Sequence, residues 1–116
     1  MGLVAAWDRP FRAWHFSVSY RQLLLRSLSD NISPARVDVL FSNVHFIQMP
    51  TEFARLEVCE GEDYDPPNVE IPTGTRGQWF TINAGEGYVF ATHCQWHEDE
   101  GSALSPSHFG PLKRTD

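Results

Sequence analysis

The run Val37-Asp-Val-Leu-Phe-Ser-Asn-Val-His-Phe-Ile-Gln-Met-Pro50 limits what this chain can fold into more than any other stretch. Val37, Val39 and Phe41 alternate with Asp38, Leu40 and Ser42, the period-2 pattern of a strand with one face buried. The phase then changes at Ser42-Asn43: Val44, Phe46 and Gln48 share one face, and His45, Ile47 and Met49 the other. Side chains change face at every residue along a strand, so a phase change inside an apolar run requires a bulge or a sharp bend between two strands. Pro50, which lacks an N–H, ends the run.

Other segments repeat the strand pattern. Trp14, Phe16, Val18 and Tyr20 alternate with His15, Ser17 and Ser19. Gln22-Leu-Leu-Leu-Arg-Ser27 has two readings: a helix from Tyr20 to Ser29 with Tyr20, Leu24 and Leu28 on one face, or a strand pairing back on 14–20 through a tight turn. The strand is preferred, because ten residues make a marginal helix and only Ser19 is placed to cap it. Asp30-Asn-Ile-Ser-Pro34 is dense in turn formers and marks a connection. In 54–60, Leu56 and Val58 face in while Arg55, Glu57 and Cys59 face out. Trp79, Thr81 and Asn83 oppose Phe80 and Ile82, and the turn Ala84-Gly-Glu-Gly87 leads into a return strand from Tyr88 to His97. The expected fold is all-β: one small antiparallel barrel or sandwich of about six to seven strands over residues 1–100, followed by a Ser-, Pro- and Gly-rich C-terminal tail, 101–116.

The stretches Gln22–Ser27 and Val37–Pro50 resemble small, uncharacterised bacterial all-β domain proteins. That resemblance implies a stand-alone bacterial domain, some relatives of which would be partners of other proteins such as toxins, and it transfers no catalytic residue.

At 116 residues, 41% apolar and 13% aromatic, the chain has the length of one domain and the material for a packed core. Two cysteines, Cys59 and Cys94, make no disulfide framework and read as small buried hydrophobes. Met1–Trp7 lacks the basic n-region of a secretory signal, and no apolar run approaches the ~18 residues of a membrane helix, so a cytoplasmic protein away from membranes is expected.

Charge is unevenly placed. The formal charge is −6, but residues 1–36 hold five Arg against two Asp (+3), residues 37–112 hold two Arg against twelve acids (−10), and the last four residues add +1. Phosphate neutralisation needs a basic face, which only the first third could supply, so nucleic acid is not the expected partner. The acids gather in a long Gly- and Pro-containing loop and in Glu98-Asp99-Glu100 near Trp96. Glu57, Glu60, Glu62, Asp63, Tyr64, Asp65, Glu70, Trp96, Glu98 and Asp99 are therefore the candidate partner-binding residues. The expected function is a non-enzymatic protein-interaction module of a bacterial cytoplasm, inhibitor or immunity-like, whose partner is another, basic protein.

Catalytic and metal readings are weaker. His93-Cys-Gln-Trp-His-Glu-Asp-Glu100 offers four metal-ligand types, yet on a strand His93 and His97 stand about 13 Å apart, too far to share one ion. A site would need a ligand from another strand, with His15 or His45 as possibilities, so no metal or cofactor is assigned and His45, His93 and His97 are the residual metal candidates. Cys94 has no His on its own strand face, no Gly-x-Ser-x-Gly elbow exists, and Gly85-Glu-Gly87 and Gly74-Thr-Arg-Gly77 are too short for a phosphate loop. No catalytic residue is assigned. The rival reading is a small-molecule- or metal-binding β-barrel, an enzyme included, with Trp79, Trp96 and Phe90 as pocket wall and His45, His93 and His97 near its mouth. A third is a homodimer formed through exposed strand edges.

Overall fold

A computed structural model describes residues 2–28, 35–61, 69–100 and 109, and these form ten strands and no helix. In chain order they are β1 (Gly2–Trp7), β2 (Phe11–Ser17), β3 (Gln22–Ser27), β4 (Arg36–Ser42), β5 (Phe46–Gln48), β6 (Glu52–Phe53), β7 (Leu56–Glu60), β8 (Gln78–Ile82), β9 (Gly87–Ala91) and β10 (His93–Asp99). They build two antiparallel sheets ordered β1-β7-β8-β9-β5 and β10-β4-β3-β2-β6. The two ladders share no strand, so the molecule is a sandwich and not the closed barrel that was the other expectation.

Strand count is corrected from six or seven to ten for identifiable reasons. β1 has no apolar alternation to announce it, and β6 is two residues long. The expected return strand 88–97 is two strands: Thr92 separates β9 in the first sheet from β10 in the second. Thr92 N donates to Ser42 O, which docks the start of β10 beside the end of β4.

The core lies between the sheets and draws on both. Leu23, Leu25, Val37, Val39, Phe41 and Phe53 of the second sheet meet Leu56, Val58, Phe80, Ile82, Val89 and Ala91 of the first in one buried cluster. Phe41 and Phe80 stack edge-on across the interface with centroids 5.5 Å apart. Each such side chain removed from water contributes roughly 1.5–3 kcal/mol. The alternation read in 37–41, 56–58 and 80–82 is therefore the core face of β4, β7 and β8.

Within the segment read as strand or helix, Gln22–Ser27 is strand, with β3 pairing antiparallel to β2 through the turn at 18–21. The reading of 14–20 as one half-buried strand is displaced. β2 begins at Phe11, and a bulge between Ala13 and His15 resets the phase, so Phe11 and Ala13 reach the core while Val18 sits 77% exposed in the turn. The phase change at Ser42-Asn43 is a sharp bend: Asn43 takes φ 55°, and the chain passes from the second sheet to the first. At the β8–β9 hairpin, Asn83, Ala84 and Gly85 all have positive φ. Asn83 fastens that turn to β7, its Oδ1 accepting from Glu57 N at 2.8 Å and its Nδ2 donating to Arg55 O at 2.8 Å.

Candidate partner-binding edge

The arginines of the first third are engaged inside the molecule. Arg26 on β3 and Asp38 on β4 are register partners on the face of the second sheet turned away from the core. Nε donates to Oδ1 at 2.7 Å and Nη2 to Oδ2 at 3.1 Å, with both side chains almost wholly buried, 3% and 2% exposed. The Trp14 ring lies 5.0 Å from the guanidinium carbon. Arg36 makes a second two-pronged pair with Asp99 on β10, at 3.0 and 2.9 Å. Arg12 meets Glu52 at 3.4 Å on the surface, and Arg9 donates to Ser27 Oγ and to the carbonyls of Leu28 and Ala35. Three of the five arginines of residues 1–36, Arg12, Arg26 and Arg36, thus meet a carboxylate within the molecule.

Three other carboxylates lie near where the two sheets meet: Glu60 and Glu98 on the strand faces turned toward the opposite sheet, and Glu57 on the outer face of β7. Glu60 and Glu57 on β7 pair in register with Gly2 and Ala6 of β1, the edge strand of the first sheet. Glu98 lies on β10, the edge strand of the second sheet, and accepts a hydrogen bond from Trp7 Nε1 at 3.3 Å. Trp7 and Trp96 meet edge to face at 5.9 Å, which ties the two edges to one another. Trp96 stays 45% exposed, an uncommon position for so large an apolar ring. No described cation lies within ion-pair distance of Glu57, Glu60 or Glu98.

Of the candidate residues named from sequence, Glu57, Glu60, Trp96, Glu98 and Asp99 are brought to β7 and β10. Asp99 is neutralised by Arg36 and contributes no open charge. Glu70 is exposed in the coil before β8. Glu62, Asp63, Tyr64 and Asp65 lie outside the described residues. Sequence reasoning missed Trp7, which anchors the arrangement. Its signal was present, a Trp closing an apolar run, but that run was weighed only as a signal peptide. It also missed Arg26–Asp38, signalled by opposite charges set into the neighbouring apolar runs Leu23–Leu25 and Val37–Val39.

Cys94 shares the Glu60 side of this edge. Burial pushes its thiol up, and the Glu60 carboxylate adds to the effect, to about 12. A thiol held protonated is a poor nucleophile. The histidines do not converge. His93 and His97 lie four residues apart on the single strand β10, opposite Ser42 and Asp38. His45 sits elsewhere, its Nδ1 3.0 Å from Arg21 Nη1 and its ring 6.4 Å from Phe90. Among the described residues no three His, Cys, Asp or Glu side chains are grouped as a metal ion would require. The pocket wall envisaged from Trp79, Phe90 and Trp96 splits between the sheets. Trp79 and Phe90 meet at 5.3 Å, joined by Phe46, while Trp96 belongs to the β1–β10 edge. An open groove of about 320 Å³ lies at the β2–β6 edge, between Arg12, Glu52, Phe11 and Phe53. No helix among the described residues is long and apolar enough to cross a membrane.

Comparison with protein-family models, curated proteins and solved structures finds no match, so the resemblance to bacterial β-domain proteins gains no support from them.

Proposed function

We propose that this chain is a non-enzymatic interaction module that binds a basic protein through the β1–β7–β10 edge. The observation that carries the reading is the separation of charge: Arg12, Arg26 and Arg36 are paired with carboxylates within the fold, while Glu98, on the strand of the exposed Trp96, and Glu57 and Glu60 on β7 have no cation beside them among the described residues. An exposed aromatic with acids on its own strand and on β7 suits a partner of opposite sign, which the charges steer and the ring holds. Phosphate backbones would be repelled by the same face. The protonated Cys94 and the scattered histidines favour binding over catalysis.

Affinity capture from the native lysate at low salt tests this, comparing the wild-type chain with Glu57→Gln/Glu60→Gln/Glu98→Gln. A basic protein retained by the first and lost by the second is the expected outcome; an unchanged set of captured proteins would sink the surface. The loop acids Glu62, Asp63 and Asp65 form a second triple for the same comparison. The small-molecule reading has the aromatic group around Trp79 in its favour, and elemental analysis of the purified protein checks its metal-dependent form.

A further inference from the structure

We propose that the outer edge of β1 is a template for strand addition, and that its occupant is an extended segment of the basic partner with Lys or Arg at alternate positions. This rests on the acidic-edge reading above and adds how the partner is held.

The sandwich has four sheet edges, and they are not equally protected. β6 is two residues long, and β5 is three and runs into Pro50. β10 has seven residues, but it carries His93, Gln95, His97, Glu98 and Asp99. β1 has six residues, Gly-Leu-Val-Ala-Ala-Trp, with neither a charge nor a proline. Short length, charge, proline and bulges are the devices that keep an edge from pairing with another chain. β1 has only the last, a register shift between Leu3 and Ala5, and Ala5, Ala6 and Trp7 beyond it stay in regular register. No described strand pairs with the side of β1 away from β7, and Leu3 is 61% exposed. An incoming strand would find a row of backbone donors and acceptors there.

The carboxylates choose the occupant. The residues of β1 opposite Glu60 and Glu57 are its smallest, Gly2 and Ala6. Glu60 lies over Gly2, where a Cβ would come within 3.1 Å of its Cγ and 3.2 Å of its Oε1, while its Oε2 accepts from Gln78 Nε2 on β8 at 3.2 Å. At the other end Glu98 stands at the Trp7 indole. A second copy of this chain would bring no positive charge to this edge, since its own β1 is uncharged. Glu60 and Glu98 lie on the side of the edge that faces between the sheets and Glu57 on the other, so Lys or Arg at alternate positions of an added strand, with long stems that reach over small residues, shares its face with Glu60 and Glu98.

The test uses a short fluorescein-labelled peptide of alternating Lys and Thr, with fluorescence anisotropy at low salt and backbone amide NMR of the protein. Two further peptides carry N-methyl groups on alternate residues, one set for each peptide edge, which removes backbone donors and keeps the charge. Binding of the parent, loss of about tenfold or more for one N-methylated form but not the other, a similar loss with Leu3→Lys, and shifts centred on β1 are expected. Equal binding by all three peptides, or shifts on β10 with β1 silent, overturns strand addition while leaving the acidic edge standing. If Glu57→Gln/Glu60→Gln/Glu98→Gln binds the peptide as well as wild type, the acidic-edge reading fails instead. A dimer in light scattering that Leu3→Lys dissociates assigns the edge to a second copy and overturns the proposal, as does absence of binding at millimolar peptide.

Discussion

Two regions use the same carboxylate chemistry to opposite ends. On the outward face of the second sheet, Asp38 and Asp99 are each held by an arginine on a neighbouring strand, and Arg26 is capped by Trp14. At the β1–β7–β10 edge, Glu57, Glu60 and Glu98 face no described cation, and Glu98 accepts from Trp7, the ring that meets Trp96. The difference lies in strand neighbours. β4 runs between two strands that set Arg26 and Asp99 level with Asp38 and Arg36, whereas β7 has the uncharged β1 on one side and Phe80, Thr81 and Ile82 of β8 on the other. Net charge says nothing of this. One region pairs its carboxylates across neighbouring strands, and the other leaves them without a described cation.

The comparison breaks most sharply at Asp38. Asp38→Ala leaves the Arg26 guanidinium buried and without its carboxylate, and a loss of ~3–5 kcal/mol in urea unfolding is expected. Replacing both partners, Arg26→Met with Asp38→Leu, should recover most of that stability, because the desolvation of two ions is then no longer required. A double variant as unstable as the single one would mean that the pair stabilises the fold beyond removing its own burial cost.

Cys94 sharpens the comparison from the other side, since Glu60 is an uncompensated charge acting inward. The folded thiol keeps its proton to about 12, while the unfolded thiol releases it near its ordinary value of 9.0. Between those values the native state binds the extra proton, so the stability contribution is complete below pH 9 and falls as pH rises toward 12. The slope is at most ~1.4 kcal/mol per pH unit. It is read as the difference between wild type and Cys94→Ala in chemical denaturation, and a pH-independent difference would contradict it. At pH 8 the thiol should react with a disulfide reagent far more slowly in the folded than in the unfolded chain.

How much of this was legible depends on what each strand buries. β4, β7 and β8 show clean alternation because one face of each meets the core, and those faces were read residue by residue. β1 was invisible, an edge strand of small apolar residues with no period. β2 was misphased by its bulge, and no glycine or proline marks Thr92, where the chain changes sheets. Leu24 and Leu40 are buried on the outward face as well, so β3 reads as a continuous apolar run, the pattern that first left strand and helix open. The acids at 57, 60 and 98 were found from composition, but the approach of Glu98 to Trp7 depends on two sheets meeting, which no local pattern encodes.

Glutamine at all three edge carboxylates should leave stability within about 0.5 kcal/mol of wild type, since each group is solvent-facing or half-exposed and has no ion-pair partner to lose. Basic-partner affinity should fall about tenfold, chiefly through slower association, and the wild-type affinity should itself weaken with salt once the screening length drops to ~8 Å near 0.15 M. A stability loss as large as that of Asp38→Ala would erase the distinction between the two regions.

The smallest effect belongs to Arg12 and Glu52, which lie on the same outward face as Arg26 and Asp38 but at its edge, with side chains 62% and 69% exposed and a 3.4 Å separation. Water screens that pair, and holding two long side chains together costs rotamer entropy. Arg12→Ala should therefore change stability by no more than about 0.5 kcal/mol, and a double-mutant cycle with Glu52→Ala should show coupling of similar or smaller size. Coupling comparable to the Arg26–Asp38 pair would show that position on this face, rather than burial, governs what a charge pair contributes.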